Sequence, residues 1–434
     1  MLLEKSAKLM SNGYVCDSCI GRQFARLLKK SGNAQRGRSI RDALAMEADA
    51  GNDRGIDHKN LFGYAFSEND KIDPKKPGKC IICGSLMSKT DSIAERIVKR
   101  LKNVEFDTFL LGTRLNAELG SKEEQVWETV GFEWCETLKA ELNREIGKKV
   151  SEILGKPANF DNPDINILLD LSDNSITVRK NPIFIYGRYK KLKPGIPQTK
   201  WPCRDCKGAG KIGNKICPKC EGRGKLYKTS IQEIIEKPIL KKTKGSSTSF
   251  HGAGREDIDA VCLDWRPFVI EISEPSKRKI NFREIEKAVN MSKAISVSKL
   301  SLSSKAEVRR LKSEKSDKTY GITVSFEKPV KEERLKALIS EFKERRITQF
   351  TPQRVLHRKG EKRRQRSVRK VKYSILSKKK VRFELKVESG LYVKELVSGD
   401  SGRTRPNFSG FLESPGKVDM LEVLKIHKSP KDWK

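Results

Sequence analysis

The sequence predicts an α+β chain of several domains, with helices and short strands alternating around mixed sheets and with cysteine pairs stapling the smaller parts. Three observations carry this reading. At 434 residues the chain exceeds one average domain, so two or three separate cores are expected. Apolar residues recur at helical spacing in some stretches and alternate in others, and the pattern switches several times along the chain. Eight of the ten cysteines fall in four Cys-x-x-Cys pairs, Cys16/Cys19, Cys80/Cys83, Cys203/Cys206 and Cys217/Cys220.

Residues 1–90 read as an N-terminal helical lobe. A helix is expected over Ile20–Leu28, directly after the first cysteine pair, and the lobe ends on the second pair in KPGKCIICGSL. Two thiolates separated by two residues supply two corners of a tetrahedron, and reduced thiols used this way suit a cytoplasmic protein. A shared zinc requires the fold to bring Cys16 and Cys19 to Cys80 and Cys83. Residues 91–190 turn to mixed α/β character. SIAERIVKRL reads as an amphipathic helix, DTFLLGTRL as a strand, and EEQVWETVGFEWCETLKAELNREIGKKVSEIL as a long helical region broken near Gly131. Cys135, within that region, is expected to be a small core residue. Three short strands follow in DINILLDLSDNSITVRKNPIFIYGRY, separated by Asp/Ser/Asn turns.

Residues 191–228 form a linker around CRDCKGAGKIGNKICPKCEGRG. Each cysteine pair is followed by x-G-x-G, a spacing that lets backbone N–H groups turn toward the thiolates. Cys203, Cys206, Cys217 and Cys220 are therefore expected to hold one zinc, structural because no ligand position is left open. Residues 229–434 begin with the helix TSIQEIIEKPIL and a flexible lead, GSSTS. They then alternate the strands RPFVIEIS, TYGITVSFE, VRFELKV and MLEVLKI with the helices FREIEKAVNMSKA and KEERLKALISEFKERR, giving a domain with a sizeable sheet. Between them, basic residues crowd PQRVLHRKGEKRRQRSVRKVKY, which reads as a mobile loop over 353–372 that orders on a phosphate backbone.

The charge balance names the kind of partner. Lys and Arg number 91 against 56 Asp and Glu, a formal net charge of +35 spread along the chain. A polyanion is implied. No apolar run spans a bilayer, and neither a signal peptide nor a lipidation box is present, which favours nucleic acid over a membrane.

Against that background HGAGREDIDA, residues 251–260, stands out for its carboxylates. Gly252 and Gly254 permit close backbone approach to a substrate, and Arg255 can clamp a phosphate or hold a carboxylate ionised. There is no phosphate-binding glycine loop, the four histidines are scattered, and no triad or hydrolytic metal centre is evident, so a carboxylate on this loop is the strongest candidate for chemistry and no catalytic cofactor is expected.

The run YGRYKKLKPGIPQTKWPC, the paired cysteine knuckles, HGAGREDID with RPFVIEISEP, TPQRVLHR and SGLYVKELVSGDSGRTRPNFS together resemble closely the archaeal and eukaryotic Pus-ten family of tRNA pseudouridine synthases. The resemblance is strong in the C-terminal half and looser before it. It implies a zinc-bearing N-terminal lobe, a THUMP-type α/β RNA-binding module at 91–190, and a pseudouridine synthase catalytic domain at 229–434 with a mixed, mainly antiparallel sheet. By the R-x-D pattern of these enzymes Asp257 is the catalytic carboxylate, with Glu256 and Asp259 as neighbours. The K-x-Y pattern matches Lys318-Thr319-Tyr320 and assigns Tyr320 to stack on the extruded uracil. The G-x-Y-[IV]-[RK]-x-L pattern matches Gly390 to Leu396 and makes Lys394 the basic partner of the aspartate. Arg255, Tyr392, Arg354, His357, Arg358 and Arg403 are the RNA-binding candidates. Between Asp259 and Arg266 this chain reads AVCLDW, where the family usually has an arginine and a glycine turn. The implied substrate is uridine in the tRNA T-loop, at position 55 with 54 as a second site, handled by a monomer whose N-terminal half holds the acceptor stem or CCA end.

Three rival readings compete with this one. A tRNA-binding protein or RNA chaperone with a decayed site would not need Asp257. A DnaJ-type co-chaperone shares C-x-x-C-x-G-x-G, but its His-Pro-Asp signature is absent. Another THUMP enzyme, such as a tRNA methyltransferase or thiolating enzyme, would need a nucleotide-binding glycine loop or an accessible catalytic cysteine, and neither is evident.

Overall fold

A computed structural model describes residues 1–28, 30–61, 63–64, 66, 78–356 and 360–427. The chain divides into two compact units, Met1–Asn181 and Pro182–Lys434. The first contains α1 (Leu2–Met10), α2 (Asp17–Arg22), α3 (Asn33–Asp49), α4 (Thr90–Leu101), β1 (Phe109–Arg114), α5 (Ala117–Val130), α6 (Leu138–Leu154), β2 (Ile165–Asp170) and β3 (Ser175–Lys180). Its sheet runs β1-β2-β3, the first pair parallel and the second antiparallel. Ile165, Ile167 and Leu169 alternate inward along β2 and pack on α6 residues Leu142, Ile146 and Val150, so period two meets period 3.6 across one core.

The helix expected over Ile20–Leu28 is shorter: α2 ends at Arg22, and turns follow to Leu28. The reason lies in the crossing of α2 and α3. An added Cβ on Gly21 would lie 1.8 Å from the Asn33 carbonyl oxygen, and one on Gly37 would lie 1.8 Å from that of Asp17. Backbones in contact leave no room for side chains, and Arg36 then collects the carbonyls of Gly21, Ala25, Leu27 and Leu28 that a longer helix would have used. Cys135 is also placed differently. Gly131, at φ +82, ends α5, so Cys135 lies in the half-exposed turn before α6, its thiol donating to the Phe132 carbonyl.

The second unit contains β4 (Ile183–Lys191), β5 (Lys211–Ile212), β6 (Lys215–Ile216), α7 (Ile231–Thr243), β7 (Ser247–Gly252), β8 (Val261–Ser273), α8 (Phe282–Asn290), β9 (Ile295–Ser303), α9 (Lys305–Ser313), β10 (Lys318–Phe326), α10 (Glu332–Phe342), β11 (Arg346–Gln349), α11 (Gln353–Leu356), β12 (Arg364–Ser377), β13 (Lys380–Val387), α12 (Val393–Ser398), β14 (Thr404–Arg405), α13 (Phe408–Leu412) and β15 (Gly416–Ile426). A ten-stranded sheet runs β14-β11-β12-β13-β10-β15-β8-β4-β9, with β7 also on β8. Its strand pairs are antiparallel except β15 with β8, so the sheet is mixed and mainly antiparallel. Strand β4, which the sequence reading grouped with the preceding module, thus pairs inside this sheet.

Two cores lie along the sheet. Ile185, Phe268, Ile270, Ile235 and Val289 fill one under β4, β8 and β9; Ile322, Phe383, Leu385, Leu338 and Phe408 fill the other under β10, β12 and β13. Strand β8 joins the two: β15 takes its first residues, at Val261 and Cys262, and β7 takes Phe268 to Ser273. Two segments expected to be loops are strands. The GSSTS lead belongs largely to β7, because Thr248 and Phe250 alternate against β8. The basic segment is a loop only in part: from Arg364 it becomes β12, where Val368 and Val371 face the core and the cations face outward. Among the described residues no helix is long and apolar enough to cross a membrane.

Replacing Gly37 with alanine tests the helix crossing. Forcing α2 and α3 apart is expected to cost at least about 1–3 kcal/mol and to distort the Cys16/Cys19 turn at the start of α2. Thermal unfolding of the first unit, read by circular dichroism, checks the former, and bound metal per chain checks the latter.

Candidate active site

The loop 253–260 joins β7 to β8, where β8 passes from one partner strand to the other. Its shape is fixed from below. Lys191 occupies the last inward position of β4, where alternation calls for an apolar residue, and is fully buried. Its ammonium donates to the carbonyls of Asp257 (3.2 Å) and Ile258 (2.6 Å). Burial lowers its pKa, against the pull of Glu256 and Asp259. Glu256, next to the expected reactive residue, points into the protein. Arg266 Nε lies 3.0 Å from its Oε2, with both side chains 1% exposed, and the Tyr189 hydroxyl donates to both carboxylate oxygens at 3.0–3.1 Å. Gln198 in turn donates to Tyr189 (2.9 Å) and to the Gly254 carbonyl (3.0 Å). The close approach that Gly252 and Gly254 allow is to these protein groups. A Cβ on Gly252 would sit 2.6 Å from Gln198 Nε2, and one on Gly254, at φ +78, 3.2 Å from Arg266 Nη1.

With Glu256 anchored inward, Asp257 is left facing outward, its side chain 31% exposed. Arg354 Nη1 donates to its Oδ1 at 3.0 Å, and Lys394 Nζ stands 3.7 Å from its Oδ2. Lys394 is nearer to Asp259, at 2.5 and 2.7 Å from the two oxygens. Burial pushes Asp259 up, but the Lys394 ammonium overrides it and holds the carboxyl below the usual range. Arg354, an RNA-binding candidate by sequence, is therefore the nearest cation to Asp257 among the described residues. Tyr320 opens β10 below the loop. Burial of its hydroxyl, offset by Arg266 and reinforced by Asp257 and Glu256 among others, raises its pKa to about 12, so the phenol is neutral at physiological pH.

The remaining candidates scatter. Arg255 is exposed and makes no ion pair among the described residues, so Arg266, not Arg255, holds Glu256 and Arg354 holds Asp257. Tyr392 precedes α12, its backbone N–H and carbonyl bonded to the side-chain amide of the fully buried Gln349, while the Arg364 guanidinium lies 5.2 Å from its ring centre. Arg403 donates to the Thr351 carbonyl at 2.9 Å, pairs with Glu361 and lies over Phe350. His357 and Arg358 lie outside the described residues. The AVCLDW run opens β8 directly from the loop instead of forming a further turn.

Two metal-binding cradles complete the picture. In each unit four cysteine sulfurs lie within 4.8 Å of one another, Cys16/Cys19/Cys80/Cys83 in the first and Cys203/Cys206/Cys217/Cys220 in the second. All are buried except the half-buried Cys16. Four thiolates at this spacing fit tetrahedral zinc with no position open to substrate. In the second cluster the amides of Gly210 and Gly224 donate to Cys206 and Cys220 sulfur at 3.2 and 3.3 Å. Both glycines have positive φ, and a Cβ on either would lie within 2.4 Å of a backbone oxygen. Elemental analysis of a Gly224→Ala protein is expected to find one zinc equivalent missing, with that of the first unit retained. Arg266→Ala, which strands the Glu256 carboxylate, is expected to cost about 3–5 kcal/mol of stability in the second unit, measured by denaturant titration.

Comparison with known proteins agrees with this layout. Residues 184–427 match the Pus10 C-terminal family and residues 93–170 the archaeal Pus10 THUMP domain. The tRNA pseudouridine synthase Pus10 of Methanothrix thermoacetophila is 37% identical, covering 99% of this chain and 95% of its own. That of Methanopyrus kandleri is 38% identical, covering 95% of each. The solved Cbf5-Nop10-Gar1 complex overlaps 55% of this chain and 48% of its own at 13% identity and a TM-score of 0.30, too slight a likeness to bear on function. A family match over most of the second unit, joined to relatives more than a third identical along nearly the full length, means that this chain belongs to the Pus10 family of tRNA pseudouridine synthases.

Proposed function

We propose that this protein converts uridine to pseudouridine in the T-loop of tRNA, at position 55 with 54 as a second site, and that Asp257 is the carboxylate that reacts. The observation carrying this reading is the division of roles on one loop: Glu256 is sealed into the protein by Arg266 and Tyr189, while Asp257, one residue on, faces outward between two cations. The isomerisation breaks the N1–C1′ glycosidic bond, turns the uracil and joins C5 to C1′. The proton leaves C5 and N1 gains one, so no oxidant, reductant or group donor is needed. Asp257 acts as the nucleophile or base, and Arg354 and Lys394 hold its two oxygens from either side. Tyr320, with a neutral phenol, suits stacking on the turned base and donating a hydrogen bond to it. The target must first leave its stack, and the cations of β12 and the loop before it suit gripping the RNA backbone around the extruded nucleotide. The two cysteine clusters hold structural zinc and take no part in the chemistry. The first unit, with its THUMP domain, is assigned to the acceptor stem or CCA end, and the protein to a monomer in the cytoplasm.

Incubating an unmodified tRNA transcript with the wild-type protein and with Asp257→Asn, then mapping pseudouridine by mass spectrometry or carbodiimide chemistry, tests the reading. The wild type is expected to mark the T-loop and the variant to be slower by roughly 10²–10⁴-fold or more, with tRNA binding retained. Equal activity of the two removes Asp257 from the chemistry. Binding without pseudouridine from either would instead favour a tRNA-binding protein that does not catalyse.

A further inference from the structure

Arg354 divides its guanidinium unequally. Nε and Nη2 both go to Glu395, at 2.7 and 3.3 Å from its two carboxylate oxygens, and Nη1 goes to Asp257 at 3.0 Å. The Glu395 side chain is 5% exposed, and Arg354 is its ion-pair partner among the described residues. A two-point bond between a planar fork and a planar carboxylate fixes the plane of the guanidinium, and with it the direction of the nitrogen left over. That nitrogen points at Asp257. Glu395 directly follows Lys394 on α12, so one short helix delivers one cation toward Asp257 and aims the other.

Nothing else described holds Arg354 in this pose. It sits on the single turn α11, where the backbone N–H of Gln353 donates to the Asp400 carboxylate, and the basic segment leading to β12 follows. A long side chain on so short an element would sample several rotamers without its bidentate partner, and each departure would leave Asp257 with Lys394 alone, at 3.7 Å and shared with Asp259. The sequence pattern around Lys394 treats the following position as variable, so no motif marks Glu395; its burial and its partner do.

We propose that Glu395 is a positioning residue for the isomerisation, holding Arg354 so that its free nitrogen keeps the Asp257 carboxylate aimed. This rests on the reading of Asp257 as the reacting group. Glu395 itself does not meet the RNA, so its loss falls on the chemical step and leaves tRNA binding alone. Displacing a reacting group by about 1 Å costs on the order of 10²-fold in rate. Glu395→Gln, which keeps the shape but loses the charge, is accordingly expected to lower kcat about 30- to 100-fold with KM for tRNA within about 3-fold, and Glu395→Asp, which keeps the charge on a shorter arm, to recover part of the loss.

A double-mutant cycle reads the coupling. If Glu395 works only through Arg354, Glu395→Gln combined with Arg354→Ala is no slower than Arg354→Ala alone, within about 2-fold. The proposal is overturned if Glu395→Gln turns over within 3-fold of wild type, or if the two losses multiply. Should Glu395→Gln fail to fold, Glu395→Asp against the Arg354→Ala background carries the same comparison. Asp257→Asn assayed alongside separates the two possible failures. Activity retained there removes the role of Asp257 and this proposal with it, whereas an inactive Asp257→Asn beside a fully active Glu395→Gln removes only the role given to Glu395.

Discussion

The geometry of the site hangs on the buried ion pair between Glu256 and Arg266. A carboxylate and a guanidinium at 1% exposure carry a large desolvation cost, repaid only when the charges meet closely and further hydrogen bonds satisfy what remains. Tyr189 supplies such bonds to Glu256, and burial followed by the charge of Glu256 pushes its phenol well above the ordinary range, so it stays a fixed donor. Once Glu256 faces inward, the residue after it on a tight loop must face the other way. Lys191 then ties down the carbonyls of residues 257 and 258, and the loop has little freedom left.

Three acidic side chains within four residues thus have three different fates: Glu256 anchors, Asp257 is presented, and Asp259 holds Lys394 near Asp257. This accounts for carboxylates in a chain of net charge +35. Asp257 stands between two cations, and the same excess of positive charge attracts the phosphate backbone that carries the substrate.

Much of this was legible in the sequence, for identifiable reasons. The helices α4, α6 and α10, the strands IFIYGRY, RPFVIEIS and VRFELKV, and the Cys203/Cys206/Cys217/Cys220 quartet follow from short-range pattern, whereas α3 and the pairing of Cys16/Cys19 with Cys80/Cys83 do not. Strands β9 and β11 went unread, and two segments read as loops are strands because their signal is tertiary. In β12 the cations hid Val368 and Val371, and in β7 the small polar residues of GSSTS form a strand only because β8 offers an edge. The anchoring groups were missed for a related reason. Lys191 and Arg266 are charges set among apolar neighbours in alternating strands, which is a readable anomaly, but their partners lie on a loop tens of residues away. Glu395 carried no local signal, since one acidic residue on a short helix looks like any other until the fold buries it. Arg354 looked like a phosphate ligand because nothing in its surroundings reveals that a carboxylate will be waiting.

The parallel pairing of β15 with β8 bears on how the protein is made. Strand β15 lies in the interior of the sheet, between β10 and β8, yet it is the last strand in chain order among the described residues. It closes contacts with residues more than a hundred positions earlier, and such long-range pairings are slow to form because loop entropy is lost before contacts compensate. While the chain emerges from a ribosome, β10 and β8 wait with unpaired edges facing one another. Until residues 416–426 are inserted the sheet beside the Asp257 loop is incomplete, and its waiting edges are open to aggregation.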